Sequence, residues 1–410
     1  MHVPDVISSE KDFMSDAISF EEHWARTHQF DPPAIFDSLR EERPLARMVY
    51  PDGHVGWIAT SHELARKVLS DPRFSHSMEF CHFPTTHWGE LTPNSPEIPG
   101  MFIYMDPPDH TRYRRLLTGE FTGRRASQMT SRVEEMVAGQ IAAMRERGTA
   151  ADVVEDFADP LALRVLSEVI GLPYDERDRY ANAPTVMHDP DSKMEDVGPV
   201  YEQALTFFAE LIERKRKQPE DDILSRLVAD GGLSDEELCN MVALLLFAGF
   251  GTTAPALAVS VFALLHHEDQ LAALRADPAK LDGAVEELLR YLTINQYEIF
   301  RTALEDVELN GEVVKKGDTV TVSLPAANRD PAKFGCPAQL DIERDTAGHM
   351  SFGYGVHQCL GQNLARVVLR AGLSALLREF PDLRLAVGFD EVPLRLKGSV
   401  FALKSLPVSW

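Results

Sequence analysis

Apolar residues recur at helical spacing over residues 63–69, 112–121, 133–147, 160–170, 200–217, 234–265, 270–276, 284–292 and 360–380, so most of the chain reads as helix. Residues 46–60 instead form two strand-like runs around Asp52-Gly53, which predicts a tight antiparallel hairpin. Shorter strand-like pieces stand at 307–314, at 319–323 and near the C-terminus. One helical stretch carries no charge from residue 241 to 265, long enough to cross a bilayer. Its internal Gly249, Gly251, Pro255 and Ser260, and its acidic flanks Glu236, Glu237, Glu268 and Asp269, favour a helix apolar all round because protein surrounds it. Residues 1–30 are polar. Residues 76–104 carry prolines, histidines and aromatics with little periodicity, a length at which loops in compact domains serve as lids or binding loops. Without a linker or a repeat, residues 1–410 read as a single domain, mainly α with a small β portion and a long buried central helix.

Charge narrows the partners. Lys plus Arg number 41 against 64 Asp plus Glu, a net charge of −23 that repels a phosphate backbone and argues against nucleic acid. Cys81, Cys239, Cys336 and Cys359 are widely spaced, with no C-x-x-C, which fits a reducing compartment better than a disulfide framework or a zinc ribbon. The N-terminal residues show neither a basic n-region nor an apolar h-region, so a cytoplasmic protein without a membrane anchor is expected.

The chemistry concentrates at residues 351–361, SFGYGVHQCLG, followed directly by an amphipathic helical stretch. Cys359 therefore stands at a helix N-terminus, where free N–H groups and the positive end of the macrodipole stabilise a thiolate. The glycines let backbone approach a flat, bulky partner. A thiolate held in this way is a metal ligand or a nucleophile. A buried structural cysteine is the plain alternative, and a cysteine protease lacks its supporting groups here although His357 is close. Elsewhere Glu287 and Arg290 lie three apart on one helix face and can pair. His110 and Arg114 are spaced i, i+4, and two cations side by side call for an anion.

The F-x-x-G-x-x-x-C-x-G pattern resembles the haem-binding loop of the cytochrome P450 superfamily, in its soluble bacterial branch. The resemblance extends from Phe30 onward and includes the E-x-x-R pair Glu287 and Arg290, Arg344 as the third member of their charge network, and ANRDP at 327–331. It implies haem b with Cys359 as the iron ligand and His110, Arg114, Arg301 and His357 on the propionates. It further implies a monooxygenase inserting one oxygen atom from O2, by hydroxylation or epoxidation, into an apolar small molecule, a secondary metabolite above all. Electrons then come from NAD(P)H through a separate ferredoxin and its reductase, docking near Arg112, Arg115, Arg366 and Arg370, and the protein is expected to be a monomer. Phe80, Ala248, Phe250, Tyr297, Glu298, Val400 and Phe401 fall in stretches that line the substrate pocket in that family. Two other readings of a haem-thiolate protein stand beside this one: peroxide-driven or oxidative coupling chemistry, and a non-catalytic haem sensor.

In the central helix the chain departs from the pattern. AGFGTTA at 248–254 also fits a dinucleotide fingerprint, but no second strand ending in an acid follows, and strand-helix units do not surround it. Against the family, Thr252 matches the oxygen-activating alcohol while Gly251 stands where an acid is expected. Glu298 is a candidate replacement for the acid. Pro255 cannot donate to the Gly251 carbonyl, which predicts a kink at this point.

Overall fold

Ser234 begins the central helix through a reciprocal capping box with Glu237, and the helix then runs from Asp235 to His266. It passes Pro255 without a break in α-helical structure. Apolar side chains cover its whole circumference because helices Asp159–Ile170, Asn182–His188, Met194–Lys217, Leu281–Leu292 and Gln362–Glu379 pack around it. It is the one helix among the described residues long and apolar enough to cross a membrane, and it is mostly buried inside the protein. The computed structural model describes residues 17–19, 26, 29–84, 95–189, 191–395 and 398–410. Most of the polar 1–30 segment and residues 85–94 of the expected pocket loop lie outside these.

The β portion is a six-stranded sheet with Ile18–Ser19, Leu45–Val49, Val55–Ala59, Thr319–Val322, Phe300–Ala303 and Phe74–Ser75 side by side in that order. The expected hairpin is present, Leu45–Val49 antiparallel to Val55–Ala59, with Gly53 in the turn at φ +85°. The 307–314 piece folds into a second hairpin, Val307–Leu309 against Glu312–Val314, around Asn310 and Gly311 at φ +54° and +81°. The chain is mainly α, with this sheet and smaller ones lying beside the helical mass.

Two features outside the sequence expectations position the site. Strand Phe300–Ala303 carries Arg301 between an edge strand and Thr319–Val322. Ser75 pairs with Thr302, so His76, the next residue, comes opposite Arg301. The short helix Asn182–His188 ends against the central helix.

Candidate active site

The loop that carries Cys359 is fixed from several sides. The Cys359 N–H donates to the Phe352 carbonyl at 2.8 Å, and Ser351 Oγ donates to the Leu289 carbonyl at 2.8 Å. Asn328 Nδ2 reaches Ser351 Oγ at 3.0 Å, while its Oδ1 accepts from the Met350 N–H at 2.8 Å. Arg366 grips Glu286 through two bonds of 2.6 and 2.9 Å and stacks on Phe352. Gly355 is required where it stands: its φ is +76°, and a Cβ would lie 2.1 Å from the Leu69 carbonyl oxygen. The loop is thus pressed against helix His62–Ser70 on one side and tied to Leu281–Leu292 on the other.

Cys359 precedes the N-cap Gly361 of helix Gln362–Glu379 by two residues. Burial raises its thiol pKa, whereas hydrogen bonding to the Gly361 and Gln362 backbone and the charges of Arg114 and Arg366 all pull it back down. The other buried cysteines are raised by burial as well. Burial pushes Cys81 up to about 12 and Cys239 up to about 11, and Cys336 is exposed; all four thiols are free.

Glu287 and Arg290 are completely buried and joined by two parallel bonds of 2.7 and 2.8 Å. Arg344 adds a third at 3.1 Å, and the Asp341 N–H a fourth at 3.0 Å, both to Glu287 Oε1. Arg290 spends its remaining donors on the Asn328, Pro337 and Gln339 carbonyls. This is the geometry in which buried charges are tolerated, with every one hydrogen-bonded.

The four residues expected to hold an anion, His110, Arg114, Arg301 and His357, come together from three stretches of chain, and His76 joins them from a fourth. His110 and His357 stand 4.3 Å apart between ring centroids, and His76 lies 5.2 Å from His357. Arg301 is buried, its pKa lowered to about 10 by that burial. Arg114 donates to the Gln358 carbonyl. Burial first, and then neighbouring cations, lower His110 to about 4 and His357 to about 2, with His76 also far below its ordinary value. Both ring nitrogens of His110, and Nε2 of His357 and His76, are buried with no hydrogen-bond partner. The nearby Asp106 is engaged by Ser75 Oγ and the His76 N–H. His76 was not among the sequence candidates. Its local sequence gives no sign of its role, which depends on strand register with Arg301.

The remaining candidates are placed as follows. Ala248 has an exposed surface, and Thr252 is half-exposed, its Oγ1 donating to the Ala248 carbonyl at 2.7 Å. Gly251 is buried, and the space where its side chain would be holds the His188 imidazole. The stretches 294–296 and 399–401 run together through Gln296 N to Ser399 O at 2.8 Å and Phe401 N to Ile294 O at 2.6 Å. Tyr297 and Val400 are buried there, and Glu298 lies beside the phenols of Tyr297 and Tyr104, adding to the rise that burial gives both. Phe250 and Phe401 pack in the hydrophobic core, Phe401 beneath the Arg26 guanidinium. Phe80 is exposed. Of the four arginines expected to form a basic docking patch, three are neutralised by partners: Arg112 by Glu237, Arg366 by Glu286 and Arg370 by Asp282.

A family model described as Cytochrome P450 matches residues 180–409. Cytochrome P450 105C1 from a Streptomyces species is 42% identical over 386 residues, covering 94% of this chain and 97% of that protein. Pentalenic acid synthase from Streptomyces avermitilis is 37% identical over 390 residues, covering 94% and 96% respectively. The solved structure of CYP105P1 in complex with filipin I superposes with a TM-score of 0.90 at 34% identity, over 96% of this chain and 99% of that one. The chain belongs to the cytochrome P450 family and is an oxidoreductase of its bacterial monooxygenase kind. The family's group is haem iron, and the residues present fit it. Orphaned, buried nitrogens in a cationic cluster call for a dianion, and a sulfur beside backbone N–H groups suits a metal.

A pH test follows from the cradle. Each of these histidines prefers the neutral ring when folded, because its folded pKa lies below the ordinary 6.5. Their contribution to stability is complete above about pH 6.5 and declines as pH falls toward about 4, by up to ~1.4 kcal/mol per pH unit per histidine. Bound carboxylates oppose this by favouring the charged rings. The haem-free protein is expected to lose thermal stability from pH 7 to 5 more steeply than the haem-loaded protein, measured by circular dichroism melts. Parallel pH dependences for the two forms count against an anion cradle.

Proposed function

We propose that this chain is a cytoplasmic haem b monooxygenase inserting one atom of O2 into a fairly large apolar metabolite. Cys359 is the iron ligand, and His110, Arg114, Arg301 and His357, joined by His76, hold the propionates. The observation that carries the reading is the convergence of Arg114 and Arg301 with His110, His357 and His76, whose ring nitrogens are buried without a partner, beside a cysteine that receives backbone N–H groups. Haem bound here supplies the oxidising chemistry. The chain would supply the rest: Ala248 and Thr252 lie on an open side of the central helix, and the Thr252 hydroxyl, which donates to the Ala248 carbonyl, would order water for proton delivery. The Glu287–Arg290–Arg344 network keeps the thiolate loop in place.

The substrate reading rests on the family resemblance, by which Phe80, Ala248, Tyr297, Glu298 and Val400 fall in pocket-lining stretches that are apolar with a few polar groups, and on a relative solved with filipin I bound. Electrons arrive from NAD(P)H through a ferredoxin and its reductase. With Arg112, Arg366 and Arg370 internally paired, the ferredoxin meets Arg115 and the exposed Val356 of the Cys loop, on a monomeric enzyme.

The reading is tested by reconstitution with a ferredoxin, its reductase, NADPH and 18O2, using compounds chosen because they shift the haem spectrum. Label in the product is expected. Thr252→Ala is expected to bind the same compounds but to divert electrons to hydrogen peroxide. Product formed only with added peroxide favours the peroxide-driven or coupling alternative, and spectral binding without turnover favours a sensor.

A further inference from the structure

Glycine in the middle of a helix is disfavoured relative to alanine, so Gly251 needs a reason. Its backbone conformation supplies none, since its φ is not positive. Its surroundings do. A Cβ at Gly251 would lie 2.1 Å from His188 Nε2, 2.3 Å from Cε1 and 2.5 Å from Cδ2, so the imidazole edge rests directly on the helix backbone. His188 ends the helix Asn182–His188 and is half-buried.

The ring's protonation pattern can be deduced. His188 Nδ1 lies 2.7 Å from the Pro184 carbonyl, which can only accept, so Nδ1 carries a hydrogen in either charge state. Nε2 is therefore the nitrogen that gains and loses a proton, and it is the one turned to Gly251, one residue from Thr252. The central helix offers no charge here, residues 241–265 being uncharged. Arg395 donates to the His188 carbonyl at 3.4 Å, with Asp159 beside Arg395 in turn.

We propose that His188 replaces the acid missing at Gly251, its Nε2 passing protons from solvent toward the Thr252 hydroxyl. The proposal rests on the monooxygenase reading above. In each cycle the imidazolium releases the Nε2 proton along the path to Thr252, becomes neutral, and is reprotonated from bulk water. No electrons move through it. It is a positioning and relay residue rather than one that touches the reacting atoms. Gly251→Asp alone is not expected to restore the acid, because the ring already fills that space.

Two experiments test it. The first needs no haem turnover: Gly251→Ala is expected to lower the melting midpoint of the wild-type protein but to raise it in a His188→Ala background, where the helix gains alanine without a clash. Equal effects in both backgrounds overturn the contact. The second uses the reconstituted haem enzyme. His188→Phe keeps a ring in place and is expected to retain the substrate-induced spectral shift, while product per NADPH falls about tenfold or more and the pH profile of coupling loses its histidine limb. The double variant His188→Ala with Gly251→Asp is expected to recover coupling. Wild-type coupling and pH profile in His188→Phe, or loss of coupling in Glu298→Gln instead, overturn the relay. Absence of labelled product in the wild type refutes the monooxygenase reading and leaves the melting experiment to judge the contact.

Discussion

Glu287→Ala is expected to destabilise the protein by about 3–5 kcal/mol, the range for removing one partner of a buried ion pair. The carboxylate is wholly buried and answers two guanidiniums, from Arg290 and Arg344, and one backbone N–H, from Asp341. Its loss leaves the Arg290 charge buried with carbonyls alone. The damage spreads beyond the pair, because Arg290 also holds the Asn328 carbonyl, and Asn328 carries Ser351 and Met350 at the start of the Cys loop. Haem retention is therefore expected to fall together with stability. Arg344→Lys keeps a charge near Glu287 but loses the fork that reaches the Cys336 and Gln339 carbonyls, and is expected to do less harm. Urea denaturation of both variants decides: a loss below ~1 kcal/mol for Glu287→Ala means the network holds little together.

The sequence made the long helices and the cysteine loop visible because their signals are local. The central helix, the Asp52-Gly53 turn and the glycines around Cys359 each depend on residues within one short window. What stayed hidden depends on chain segments meeting. His76 matters because Ser75 is paired with Thr302, a register no local pattern encodes. His188 matters because its helix ends on Gly251, and from sequence that glycine could only be read as a loss. The strand Phe300–Ala303 was hidden by the buried Arg301 within it, which breaks the apolar run that a strand buried at every position otherwise shows. The pairing within the expected basic patch was hidden for a related reason: counting arginines ignores the carboxylates that folding brings to Arg112, Arg366 and Arg370.

Cys359→Ala is expected to abolish the red-shifted Soret band of the reduced carbon monoxide complex. A thiolate is a far better ligand than a thiol, and a buried sulfur becomes a thiolate only where its charge is answered. At Cys359 it is answered by the Gly361 and Gln362 backbone, by Arg114 and Arg366, and by the positive end of an 18-residue helix. Desolvation is the largest influence at Cys359, Cys81 and Cys239 alike and raises all three thiols; what sets Cys359 apart is its place at a helix N-terminus with two backbone bonds and two arginines, whereas Cys81 and Cys239 are held as thiols well above neutral pH. Cys81→Ala and Cys239→Ala are therefore expected to keep the band, and Cys359→Ala to lose it even where haem is still bound by the cation cradle. Because the cradle and the thiolate are separate groups, the spectrum reads the ligand and the haem content reads the cradle. Replacing His110 and Arg301 together should lower occupancy without changing the band of the haem that remains. If the band survives in Cys359→Ala, another group holds the iron.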